Sequence, residues 1–85
     1  MMRIRVRGEV YNGRTAVELV SHMRSDFNAF ARKPASSNAA YMDRRIQWFK
    51  AHSNVEVVRD GTTEEDQCLS FIRSMVNGGL AEEIT

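Results

Sequence analysis

From Arg3 to Tyr11 the chain alternates: Ile4, Val6, Gly8 and Val10 stand at even positions, and Arg3, Arg5, Arg7, Glu9 and Tyr11 at odd ones. A repeat of two is the mark of a β-strand with one face on a core and the other in water. The pattern predicts a single strand with Ile4, Val6 and Val10 buried and Arg3, Arg5 and Arg7 facing outward, roughly 6.5–7 Å apart. Past Asn12-Gly13, a turn dipeptide, the repeat lengthens. Ala16, Leu19, Val20, Met23, Phe27, Phe30 and Ala31 recur at the spacing of one helical face, behind a Thr15-Ala16-Val17-Glu18 capping box. They predict a helix over about residues 15–32. A second reading makes Asn12-Gly13 a hairpin turn into a strand over 14–20, but the helical spacing runs on for two further turns.

Lys33-Pro34 ends that helix, because Pro34 cannot continue it and disfavours the α region for the residue before it. Ser36 or Ser37 then fits the N-cap of a second helix over about residues 38–52. Its inward face reads Ala39, Met42, Ile46 and Phe49, and a second stripe about 100° round reads Tyr41, Arg45, Trp48 and His52. Val55-Glu56-Val57-Val58 predicts a short strand. Thr62 or Thr63 fits the cap of a third helix, with Glu64, Glu65 and Asp66 placed favourably in its first turn. Cys68, Leu69, Ile72, Met75 and Val76 form its apolar face, and Asn77-Gly78-Gly79 stops it. Leu80 and Ile84 suit a last short strand or the cover of a core edge.

The predicted order is β-α-α-β-α with a short C-terminal β. Its class is α+β, a two-layer sandwich with helices on one face of a small sheet and the arginines on the other. All 85 residues are expected to form a single domain. With 42% hydrophobic and 27% charged residues there is apolar material enough to fold. A domain this short buries only about 60–65% of its unfolded surface, which makes a second subunit an attractive source of stability. No run is long or apolar enough for a membrane span, and the single cysteine fits a reducing, cytoplasmic setting. A membrane partner is accordingly not expected.

The net charge of +1 conceals an asymmetry. Residues 1–50 carry ten Lys or Arg against four Asp or Glu, and residues 51–85 carry two against seven. Such halves suit a nucleic-acid face, or two parts of one fold or of two protomers attracting each other.

Catalytic signatures are absent from the sequence: no glycine-rich phosphate loop, no Cys-x-x-Cys, no His-Glu-x-x-His and no nucleophile elbow. Glu18, His22 and Asp26 align at i, i+4 and i+8, a spacing that a metal site and a solvated helix face share; the solvated face is the commoner outcome. No enzyme activity, cofactor or metal is expected. Two binding readings remain. In the first, Tyr41, Arg45 and Trp48 make a protein-contact patch of hot-spot composition on a small interaction or regulatory module, with a homodimer among the expected partners. In the second, Arg3, Arg5 and Arg7, aided by Arg44 and Arg45 and by the aromatic stripe, bind nucleic acid.

The layout of strand, helix, Ser36-Ser37-Asn38 and helix resembles a ribbon-helix-helix repressor over about half the chain. The resemblance implies strands from two chains paired in a major groove. The chain departs from it in a first helix about five residues longer and in the strand and helix that follow.

Overall fold

The computed structural model describes residues 1–84. The alternating stretch forms a hairpin in place of one strand: β1 (Met2–Val6) turns at Arg7-Gly8 into β2 (Glu9–Gly13). Both turn residues have positive φ, +52° at Arg7 and +84° at Gly8. That is the pairing which lets a two-residue loop follow the twist of its strands. The turn reverses the parity of everything after it. Val6 faces Glu9, Arg5 faces Val10 and Ile4 faces Tyr11, and residues opposite one another share a face of the sheet. Ile4 and Val6 are buried as expected, but Val10 shares the outer face with Arg5 and is 42% exposed.

Gly13 lies in the strand and makes no turn. A Cβ there would run into the backbone of Glu18 and Leu19, so its lack of a side chain lets β2 close on the helix that follows. β3 (Glu82–Glu83) adds to the other edge of β1, giving the antiparallel order β2-β1-β3. β2 lines β1 along its length and β3 covers Ile4 and Arg5 on the other edge, so the ribbon pairing implied by the repressor resemblance would have to displace β3.

The three helices cover one face, as predicted for the α+β class, in the order β-β-α-α-α-β. α1 (Ala16–Phe30) starts at Thr15, whose Oγ1 accepts from the Glu18 amide. A second cap comes from outside the helix: the Glu65 carboxylate accepts from the amides of Ala16 and Val17 at 2.9 and 3.0 Å. α1 ends two residues earlier than its apolar spacing suggests, and its last residue, Phe30, is 90% exposed. Asn28 pins the loop beyond by exchanging hydrogen bonds with both backbone groups of Ala35. α2 (Asn38–Ser53) is capped by Ser37, and α3 (Glu64–Asn77) by Thr63. The core joins Ile4 and Val6 to Leu19, Val20 and Met23 of α1, Tyr41, Met42 and Phe49 of α2, and Cys68, Phe71, Ile72 and Met75 of α3.

Residues 55–58 are not a strand. Their alternation is real, since Val57 is buried and Glu56 and Val58 are exposed, but the segment pairs with a helix. The amides of Val58 and Asp60 donate to the hydroxyls of Ser74 and Ser70, one turn apart on α3. A turn of helix rises 5.4 Å and two extended residues span about 6.6 Å, so the two ladders nearly match. Arg59, between them, reaches the Asp43 carboxylate with two nitrogens at 2.7 and 3.0 Å and donates to Gln67.

Candidate binding surface at the hairpin tip

Helices fill one side of the sheet, and its other side carries Arg3, Arg5, Val10 and Asn12, all exposed. Arg3 and Arg5 keep the predicted strand spacing. Arg5 pairs with Glu82 at 3.3 Å across to β3, both side chains half or more exposed, an arrangement worth under about 1 kcal/mol. Arg7 leaves the strand at the turn. There it shares a shallow hollow of about 210 Å³ with Arg5 and Gly79, and also extends its guanidinium to 4.5 Å from the centre of the Trp48 ring.

Trp48 is the hub of a second group. Arg45, one turn earlier on α2, stands 4.9 Å from its ring centre and 4.9 Å from that of Phe49. His52, one turn later, stacks on the indole at 4.5 Å with planes 16° apart, its Nδ1–H donating to the Trp48 carbonyl. The ring thus has two guanidinium groups and an imidazole against it and is only partly buried. Guanidinium groups over an indole are held by the ring quadrupole, worth about 0.5–1 kcal/mol each at a wet site. Among the described residues neither Arg7 nor Arg45 has a carboxylate partner, nor has Arg3. Through Arg7, the arginine row of β1 continues onto α2.

The other residues singled out in the sequence lie elsewhere. Tyr41 is 4% exposed in the core, edge-on to Phe27 and Phe71 at 5.5 and 6.4 Å, so it does not join Arg45 and Trp48 at the surface. Burial pushes its phenol up to about 12. Its place on the second stripe of α2 did not distinguish surface from core, because the buried face of that helix is wide enough to include it. Arg44 turns toward α1, over the Phe27 ring at 5.8 Å and bonded to the Lys33 carbonyl; it is no part of the arginine row.

Of the acid–histidine alignment on α1, His22 and Asp26 dock the helix onto the free edge of β2, while Glu18 is exposed. The Asn12 amide donates to Nδ1 of His22, and the Tyr11 hydroxyl to Asp26 at 2.7 Å. Burial and that bond hold the Tyr11 phenol well above its usual range. Among the described residues no three His, Cys, Asp or Glu side chains are grouped so as to hold a metal ion. Cys68 is fully buried, and desolvation, aided by Glu64 and Glu65, pushes its thiol up to about 11, far from a reactive thiolate. No helix among the described residues is long and apolar enough to cross a membrane.

The contact that sequence reasoning missed is Arg7 on Trp48. Its signal was the dipeptide Arg7-Gly8, whose glycine allows the turn that carries Arg7 off the strand. No protein-family model, curated protein or solved structure matches the chain.

Proposed function

We propose that the protein is a non-catalytic binding module that takes nucleic acid by its phosphate backbone, across the open sheet face and the hairpin tip. One observation carries this reading: Arg3, Arg7 and Arg45 line a continuous surface with Arg5, and only Arg5 has a carboxylate partner among the described residues. Guanidinium groups without a carboxylate partner are ready to neutralise phosphates, and the planar fork of Arg suits them better than Lys. Trp48 orients Arg7 and Arg45 and is itself partly covered by His52, so phosphate contact predominates over base stacking and sequence preference is weak.

The chain contains one tryptophan, so its fluorescence reports on this surface directly. Titration with a thymidine oligonucleotide and with a random duplex at low salt is expected to change Trp48 emission. The log of the affinity should fall with log salt by about 0.7 per phosphate neutralised on the single strand and about 0.9 on the duplex. Arg3→Glu combined with Arg7→Glu should abolish the change while circular dichroism stays native. No change with either probe at low salt overturns the reading. Contact with another protein chain is favoured by a different feature, the exposed phenyl ring at the end of α1.

A further inference from the structure

The stack on Trp48 ends in an open ring. His52 lies against the indole at 4.5 Å with planes 16° apart, so one face of the imidazole is covered and the other is turned away. The residue is exposed, and among the described residues no second aromatic ring lies against it. Its orientation is fixed. Nδ1–H donates to the Trp48 carbonyl at 3.0 Å, and the indole itself stands edge-on to the buried Phe49, 5.7 Å away with planes 82° apart. An aromatic face already held in one orientation loses little freedom when a flat group is laid on it.

The charges nearby select what that group belongs to. Arg7 and Arg45 stand 4.5 and 4.9 Å from the centre of the same indole, and neither has a carboxylate partner among the described residues. A flat group that arrives with negative charge is therefore favoured over a neutral or cationic one. A nucleotide brings both, phosphate for the guanidinium groups and a π-face for the imidazole. Inside a duplex both faces of a base are covered by its neighbours, so only an unpaired base can reach the ring. Resting on the phosphate-binding reading above, we propose that His52 is the stacking platform for one unpaired base, which makes a single strand the preferred form of nucleic acid. The base adds one layer to the Trp48–His52 stack while its adjoining phosphates meet Arg7 and Arg45. Every base has a π-face, so the platform favours the larger purines and reads no sequence beyond that.

Proton NMR of the full chain reads this contact directly. The chain has two histidines, and the other, His22, faces the Asn12 amide at the edge of β2 and serves as the internal control. Hexamers of deoxyadenylate and riboadenylate, the tighter of which names the natural strand, are titrated beside an abasic deoxyribose-phosphate hexamer. With the adenylates the His52 ring protons should move upfield in the ring current of the base while those of His22 stay in place; with the abasic strand neither should move upfield. Trp48 emission should show the adenylates binding about tenfold more tightly than the abasic strand, the effect of one stacked base. His52→Leu keeps the indole covered but offers no π-face. It should lose the preference for bases and keep the parent's affinity and salt slope on the abasic strand, whereas His52→Phe should retain the preference. Failure of all three strands to bind at low salt overturns the phosphate reading and the platform together. An abasic strand bound as tightly as the adenylates, an unshifted His52, or a preference that survives in His52→Leu overturns the platform alone.

Discussion

Arg7 occupies a backbone conformation that suits asparagine or glycine, with φ +52° in the first position of a two-residue turn. A long side chain is an uneconomical choice there unless it is used, and its guanidinium rests on Trp48. Arg7→Asn is expected to leave stability within about 0.5 kcal/mol, since better turn chemistry offsets the lost cation–π contact, and to weaken oligonucleotide binding in the fluorescence titration. Gly8→Ala separates the turn from the site. A Cβ there meets nothing within 4 Å, so a loss of about 1 kcal/mol in urea unfolding would come from the backbone alone. Glu65 makes a comparable contribution from a distance: Glu65→Ala removes the charged acceptor of two amides at the start of α1 and should lower stability by about 1 kcal/mol, read as a lower urea midpoint at unchanged slope. Of these three roles only the turn had a local sign, the glycine at position 8. An arginine in a strand-like alternation gives no sign of positive φ, and a glutamate in one helix gives no sign that it caps another.

At the scale of elements, the helices were legible because each combines an apolar face with a cap chosen from Ser or Thr; Thr15 serves as predicted, and Ser37 and Thr63 are the ones used of the two candidates at each later start. The strands were not, because a period of two reports an extended backbone and is silent about its partner. Residues 2–13 fold back on themselves, and residues 55–60 find serines. The latter segment is held at Arg59, which keeps the Asp43 carboxyl below its usual range through their hydrogen bonds. A folded-state value below the unfolded one of about 3.9 means that the pair stabilises the fold above that pH, and that this stability is lost as pH falls through the folded value. Asp43→Asn should therefore be less stable than the parent at neutral pH, by less than about 1 kcal/mol because the carboxylate is half exposed. The difference should vanish in the most acidic part of a pH series of thermal melts.

Across the whole molecule, the division into a basic and an acidic half is partly spent inside the fold. Arg5 meets Glu82 and Glu65 meets the N-terminus of α1, whereas the Arg59–Asp43 pair runs the other way, joining a cation of the acidic half to an acid of the basic one. Among the described residues, the charges left without an ionic partner include the arginines of the open sheet and hairpin tip, with Glu9 beside them on β2, and the basic residues around Phe30. The sequence could show the imbalance but not which charges were internally matched, because Arg5 and Glu82 are brought together only by the pairing of β1 with β3. That pairing also dictates an order of assembly. The hairpin closes over two residues, an event of roughly 1–10 μs, whereas Arg5 must wait for Glu82, 77 residues further along. During synthesis the central strand therefore leaves the ribosome with one edge bare. It stays so until Glu82 and Glu83 have emerged, an interval in which the exposed edge of β1 is open to pairing with other nascent chains.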